Sequence, residues 1–432
     1  MRETVRLRDI LCACAVIAIF LVSFLLSRNA AQLPDFNPDE SRWISRAHYL
    51  GDLADPFGPT WDDQYMTRGQ PPFGSYVTGA GLLLRGRDLA TNPAWDFALT
   101  WEENLAAGNK PIPADLDAAR NMSALLTATT AVALTGIARI YVPFTWALLA
   151  GAVFALHPFS RYIGALATAD AVFGLLIALA ALTMSQVART RSWLWVAATG
   201  VLLGLGGATK LSPLAVAAGL SGLALLLAVL PIGVVASTEA RRKLAGQGLL
   251  IGLAAGLTFV AVYPYLWPDP FGRTLNLFTF RVVEMAAQAS DWPVMAVPNR
   301  LEALRRTGLN FSEHYNLLGA VAEAAHLRVP RPLLQVEVLL TVVGIVVMAR
   351  DALRAGWLSA QSLALATLGG QVIVTILGMR SEFDRYHLPA ALLGAVAICV
   401  AVHAIVTALH QGSGGWRAQQ GSPAPGRMVV RG

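Results

Sequence analysis

Long apolar runs alternate with short polar connections along most of this chain. Runs near 10–27, 120–138, 143–159, 166–186, 193–208, 211–232, 247–266, 333–349, 358–378 and 387–409 approach the roughly 17 to 25 apolar residues a helix needs to cross a bilayer. Their spacing predicts about ten membrane-spanning helices. The stretch Phe73 to Leu84 is as apolar but shorter and follows Pro71-Pro72, so it predicts an interfacial helix rather than a span. Two connections are much longer than the others, about 28–119 and 267–332. The first is rich in Asp and Glu; the second mixes aromatic, proline and charged residues with a helical pattern from Leu275 to Gln288. Loops of such length either carry function or lack structure, and the aromatic content of these two argues for the former. Residues 411–432, rich in Gly, Pro, Gln and Arg, predict an unstructured tail after a single membrane domain over 1–410.

Composition agrees with this pattern. The chain is 55% hydrophobic and 14% charged, which predicts an all-α integral membrane protein rather than a soluble domain. The net charge of +6 lies in short clusters between apolar runs and not in one stripe, so it reads as membrane orientation and not as nucleic-acid binding. With the N-terminus inside, the short inner connections and ends hold Arg2, Arg6, Arg8, Arg139, Arg189, Arg191, Arg241, Arg242, Lys243, Arg350, Arg354, Arg417, Arg427 and Arg431, against Arg161, Lys210, Arg380 and Arg385 outside. Both termini are therefore expected in the cytoplasm, and both long connections on the outer face of a cell membrane. Cys12, Cys14 and Cys399 all fall inside apolar runs and imply neither disulfides nor a cysteine metal site. The first run is expected to stay attached as a span, because cleavage after it would leave the acidic residues that follow without their helix.

Those acids are the most suggestive chemistry in the chain. Asp39 and Glu40, in Asn37-Pro38-Asp39-Glu40-Ser41, stand just after the first span, where a carboxylate pair favours either a helix start or a site. The expected topology brings other polar residues to the same side. Asp170 opens the fourth span, Lys210 lies in the turn between the fifth and sixth, and Tyr263, Tyr265 and Trp267 leave the seventh. Arg380, Glu382, Asp384, Arg385 and Tyr386 form the last outer connection. Convergence of this kind is a stronger signal than any single residue. The bland readings are a solvated helix start for Asp39 and Glu40, a cap for Asp170, snorkelling for Lys210, an interface anchor for Arg385 and Tyr386, and packing for His157 and His403.

In this order the motifs resemble the GT-C superfamily of polytopic glycosyltransferases, in particular the branch with protein O-mannosyltransferases and the lipid A aminoarabinose transferase. The motifs are Pro38-Asp39-Glu40, Pro71-Pro72-Phe73 before a short apolar helix, Arg120 leading the second span, Thr168-Ala169-Asp170, Gly204 to Lys210, and Arg385-Tyr386-His387-Leu388-Pro389. The resemblance implies inverting transfer of a sugar from a polyprenyl-phosphate donor to an acceptor hydroxyl at the outer face. Asp39 matches the catalytic acid position, with Glu40 and Asp170 as further catalytic candidates. Arg385, Tyr386, Lys210 and Arg281 are candidates for the donor phosphate. Tyr263, Tyr265, Trp267, Pro72 and Tyr76 are candidates for the prenyl and sugar groove. One departure stands out: the branch often has a lysine before the double proline, where this chain has Gln70, with Arg68 two residues earlier. Some members bind a divalent metal; His48, His314 and His326 are candidates, without a ligand-spacing motif. The acceptor, whether glycan, lipid or protein, stays open.

Two other classes compete. A secondary transporter or flippase would place polar residues at mid-membrane, often with an internal repeat, whereas this chain has almost no charge inside its runs and shows no repeat. A non-catalytic assembly subunit would keep the fold but has no need of the acidic pair.

Overall fold

The computed structural model describes residues 2–30, 35–89, 92–230 and 237–420. It is built of helices, and among the described residues the one extended pairing is a bridge between Ala296 and Ser381. In chain order the helices used below are α1 (Arg2–Ala30), α2 (Pro38–Ser45), α3 (Phe73–Leu84), α4 (Pro113–Ala138), α5 (Phe144–Leu156), α6 (Pro158–Ala165), α7 (Asp170–Thr190), α8 (Trp193–Gly207), α9 (Ser212–Val229), α10 (Thr238–Ala261), α11 (Pro270–Asp291), α12 (Arg300–Leu309), α13 (Val336–Ala355), α14 (Ala360–Gly378) and α15 (Leu388–Gln420).

Eight described stretches are long and apolar enough to cross a membrane, within α1, α4, α7, α9, α10, α13, α14 and α15. The chain is a multi-pass membrane protein. The remaining two expected spans are helical but shorter: α5 has 13 residues and α8 has 15, or about 20 and 22 Å at 1.5 Å per residue, against a hydrocarbon core of roughly 30 Å. Local chemistry explains both. Pro158 cannot continue α5, so His157 takes an extended conformation and caps a new helix, α6. The glycines at the end of α8 lead into a tight turn through Lys210, after which Pro213 sits in the first turn of α9.

Helix α7 is central, packed against α4, α8 and α14, while α15 packs on α5 and α13. Small residues set some of these distances. A Cβ placed on Gly204 would stand 2.5 Å from the carbonyl oxygen of Ala255, so α8 and α10 meet backbone to backbone.

The two long connections fold onto each other over the end of the bundle that carries Asp39. Tyr65 donates to Glu284 at 3.0 Å, Tyr265 donates to Asp63 at 2.9 Å, and Arg281 donates to the carbonyl of Gly69 at 3.0 Å. The expected short helix is present as α3, but it packs on α2 and α4 with Leu82 fully buried rather than lying open at an interface. The interfacial character belongs to α11. Its Phe271, Leu275, Phe278 and Val282 share one face and are exposed, the pattern of a helix resting in a membrane surface. Helix α15 continues to Gln420, past the expected tail boundary at 411; residues 421–432 of that tail lie outside the described residues.

Candidate active site

The adjacent carboxylates separate as soon as α2 forms. Asn37 caps the helix, accepting from the Asp39 amide at 2.9 Å, and Pro38 supplies the first turn. Glu40 completes a capping box by accepting from the Asn37 amide at 2.8 Å. Glu40 also accepts from Arg120 Nε at 2.7 Å, from Arg120 Nη2 at 2.6 Å and from the Ala167 amide at 2.8 Å, and is fully buried. Both of its oxygens are thus occupied. The catalytic reading of Glu40 is corrected here: it ties α2 to α4 and to the segment ahead of α7. Asp39, one position earlier on the turn, points elsewhere. Its side chain is 27% exposed and is paired with Arg385 from the segment before α15.

Asp170 opens α7, buried, and is paired with Lys210 while accepting from Thr168 Oγ1 at 2.7 Å. The Lys210 ammonium lies 5.3 Å from the Phe173 ring centre and 5.9 Å from that of Tyr386. Burial pushes its pKa below that of an ordinary lysine, with Asp170 acting in the opposite sense. Arg385, Lys210, Asp170, Tyr386 and Arg281 all line one cavity of about 350 Å³. Sequence reasoning therefore brought five of its candidates to one place. Phe278, Val282 and Met285 of α11, Leu211 and Ala215, and Val374 of α14 make much of the remaining lining apolar. The result is a largely apolar cavity that also holds three cations and a carboxylate.

The aromatic candidates sit elsewhere. Tyr263 and Tyr265 are fully buried in a cluster with Tyr49, Trp61 and Tyr76. The Tyr263 hydroxyl donates to the Thr67 carbonyl, and that of Tyr76 donates to the Val262 carbonyl at 3.0 Å. Trp267 donates to the Val260 carbonyl at 2.8 Å and packs edge-on against Phe57. Pro72 stands behind Pro71, which does line the cavity. None of these five forms the groove: the 3-10 turn Pro264–Leu266 folds the tyrosines inward, where they join the two long connections.

In their place the cavity uses Trp43, Gln70, Pro71 and Phe173. Trp43 is 6% exposed and lies under the Arg46 guanidinium at 5.0 Å. Arg46 donates to the Gln70 side-chain oxygen at 2.7 Å and to the Gln70 backbone carbonyl, so the position where the sequence lacks the expected lysine is braced by an arginine behind it. Trp43 reads from sequence as an interface-belt or loop-core residue rather than a cavity wall, and Arg46 was missed; its place just after the helix of Asp39 was the available signal.

No group of three or more His, Cys, Asp or Glu among the described residues is arranged to hold a metal. His48 pairs with Asp52 at 2.7 Å, and His314 and His326 do not join it. The histidines do not fit a metal site.

Residues 62–268 match the family model for dolichyl-phosphate-mannose-protein mannosyltransferase. No curated protein sequence matches the chain significantly. Among solved structures, the chain is similar to an Archaeoglobus fulgidus oligosaccharyltransferase tethered with an acceptor peptide, at TM-score 0.53 and 12% identity over 92% of this chain and 50% of that one. It is also similar to AglB from the same organism in complex with an inhibitory peptide and a dolichol-phosphate, at TM-score 0.52 and 12% identity, covering 96% of this chain and 52% of that one. ArnT from Cupriavidus metallidurans bound to undecaprenyl phosphate has TM-score 0.51 and 18% identity, covering 90% of this chain and 59% of that one. The chain thus spans between half and three-fifths of the length of these proteins. Together with the helical architecture, these similarities show that the chain shares the membrane-helical fold of these three structures.

Proposed function

We propose that the protein is an inverting glycosyltransferase that moves a sugar from a polyprenyl phosphate to an acceptor hydroxyl on the outer side of the membrane. One observation carries the reading: an apolar channel between α9, α11 and α14 ends at Lys210, Arg281 and Arg385, and Arg385 holds Asp39. A prenyl chain suits the apolar walls and a phosphate suits the cations. The bound lipid phosphates named for AglB and ArnT support this assignment, as does the mannosyltransferase family match.

In this mechanism the donor lies with its phosphate against Lys210 and Arg385, and its sugar extends toward Asp39. The acceptor oxygen attacks the anomeric carbon from the face opposite the phosphate, and the bond from that carbon to the phosphate oxygen breaks. Asp39 takes the acceptor proton. The departing polyprenyl phosphate leaves as an anion stabilised by Lys210 and Arg385. Arg385 makes no other hydrogen bond among the described residues, so its remaining donors are available to phosphate. Phosphate binding competes with Asp39 for the guanidinium, and the carboxylate becomes free to act as a base when the donor is in place.

The acceptor is a glycan, lipid or protein, and both chain ends lie on the cytoplasmic side. The test is label transfer by purified protein in lipid, with a panel of radiolabelled polyprenyl-phosphate sugars and an envelope extract. Transfer by wild type and not by Asp39→Asn is expected. Wild-type protein that transfers nothing from any donor, yet moves prenyl lipid between leaflets regardless of Asp39, would overturn the reading.

A further inference from the structure

A second cavity, of about 320 Å³, lies among the spanning helices. Helix α14 and the start of α15 separate it from the first: Thr375, Gly378 and Pro389 face the first cavity, and Val372, Ile376 and Ala390 face the second. Its walls are apolar, and none of its lining residues is Lys or Arg. Its polar lining residues are His157, Ser160, Glu337, Thr307 and Thr341, and the two threonines donate to the carbonyls of Ala303 and Glu337 in their own helices. His157 Nδ1 accepts from the Phe159 amide at 3.1 Å, which places the ring proton on Nε2, donated to Glu337 at 2.6 Å. The other Glu337 oxygen accepts from the Leu317 amide at 2.8 Å. This pair is satisfied internally. Ser160 is not: it is 1% exposed and its hydroxyl has no hydrogen-bond partner, an arrangement that natural interiors seldom leave without a ligand or water.

We infer that this cavity binds one hydrocarbon chain of a neutral-headed membrane lipid, with an ester or hydroxyl oxygen of that lipid accepting the proton of Ser160. Most of the lining belongs to the spanning segments of α13, α14 and α15, so the medium that supplies an apolar occupant is lipid. The volume is at the lower end of the roughly 300–1,000 Å³ typical of ligand pockets, which suits one chain. Charge decides the head: with Glu337 present and no Lys or Arg in the lining, a phosphate is disfavoured here and favoured in the first cavity. The roof of the second cavity includes Phe311, whose ring packs 6.5 Å from that of His387, two residues beyond Arg385. An occupant braces the segment that carries Arg385. This inference does not depend on sugar transfer.

The experiment uses full-length protein in phospholipid nanodiscs and two photoreactive probes: a diacylglycerol with a diazirine in its acyl chain, and a diazirine-bearing undecaprenyl phosphate. The diacylglycerol adducts are expected on Phe154, Ile376 or Leu393, and the phosphate adducts on Val282 or Met285. A Cβ on Gly308, which lines the second cavity, meets nothing within 4 Å, so Gly308→Phe has room to fill it. This variant should cut the diacylglycerol adducts at least tenfold and leave the phosphate adducts unchanged. Ser160→Ala, a milder change, should weaken diacylglycerol labelling about tenfold, the effect of losing one buried hydrogen bond, without reducing labelling by a hydrocarbon probe that has no polar head. The inference is overturned by diacylglycerol adducts confined to lipid-facing Leu253 and Leu257, by cavity adducts indifferent to both variants, or by undecaprenyl phosphate labelling the second cavity in preference to the first.

Discussion

Two neighbouring carboxylates, exchanged one at a time for their amides, should fail in opposite ways. Glu40 is fully buried and accepts four hydrogen bonds, two from Arg120 and one each from the amides of Asn37 and Ala167. In Glu40→Gln one oxygen becomes an NH2 group, which turns a donor toward donors and removes the carboxylate charge from beside Arg120. Breaking a buried pair from one side costs about 3–5 kcal/mol, a large share of the roughly 5–15 kcal/mol that holds an ordinary domain together. Asp39→Asn meets a gentler environment. Its partner Arg385 and its own side chain are each 27% exposed, and partly exposed pairs contribute about 1 kcal/mol or less. Its amide bond to Asn37 is untouched. Transfer, however, should fall by about 10²- to 10⁴-fold, the range for loss of a general base. The assay measures, for each variant in the same detergent, thermal unfolding and the rate of label transfer from a polyprenyl-phosphate sugar. The expected result is that Glu40→Gln unfolds early with a near-normal rate per folded molecule, whereas Asp39→Asn unfolds normally and is inactive. A stable, inactive Glu40→Gln, or a fully active Asp39→Asn, would refute the division of roles.

Other outcomes follow from the same geometry. Arg385→Ala should raise the donor KM by about 10- to 100-fold, since a hydrogen bond to a charged group contributes about 1.5–3 kcal/mol, and Arg385→Lys should restore little of it because an ammonium lacks the planar fork; steady-state kinetics against donor concentration checks both. Lys210→Met strands the buried carboxylate of Asp170 and should lower thermal stability, and adding Asp170→Asn should recover stability without recovering donor affinity, a coupling that a double-mutant cycle measures. A Cβ on Gly74 would stand 2.7 Å from that of Ala169 and 2.9 Å from the ring of Trp43, which lines the cavity, so Gly74→Ala should displace both residues and cost about 1–3 kcal/mol, read as a lower Tm together with a higher donor KM. The Glu382 carboxyl is held below the usual range by His387 and then by Arg306; its contribution is fully present above its unfolded value of about 4.3 and is lost as pH falls through its lowered value, so the Tm gap between wild type and Glu382→Gln should close in acid and stay open at pH 7.

Eight of the ten expected spans were legible because a bilayer permits few solutions. A run such as Ala360–Gly378 has one use, and once the runs are paired by charge, Asp39, Asp170, Lys210 and Arg385 must lie at one end of the bundle. The partition of the acidic pair was not legible. Adjacent positions on a helix point about 100° apart, but which of them meets solvent depends on Arg120, 80 residues away, and on the Ala167 amide. The tyrosines misled for a related reason. Tyr263 and Tyr265 carry the same composition signal whether they face a ligand or a protein core, and the 3-10 turn that sends them inward is set by the connection they pack against. Arg46 was hidden in the same way, since it holds Gln70, 24 positions away, and nothing in the sequence ties the two together.

What the two ion pairs accomplish together explains why so many charges can sit beside apolar walls. Asp39 with Arg385 and Asp170 with Lys210 cancel pairwise, and Arg281 is cancelled by Glu284, so these groups add no large net charge whose desolvation would be costly. A neutral arrangement of this kind attracts a bare anion weakly. Under the proposed function it discriminates by exchange: a ligand that offers phosphate oxygens to Arg385, and is held by its chain long enough to compete with Asp39, would release the carboxylate. An apolar tail without a phosphate leaves the latch closed, and a free phosphate without a tail lacks the contacts with Val282, Met285 and Val374 that would keep it there. On that reading Asp39 would act as a base only with a ligand that carries both halves.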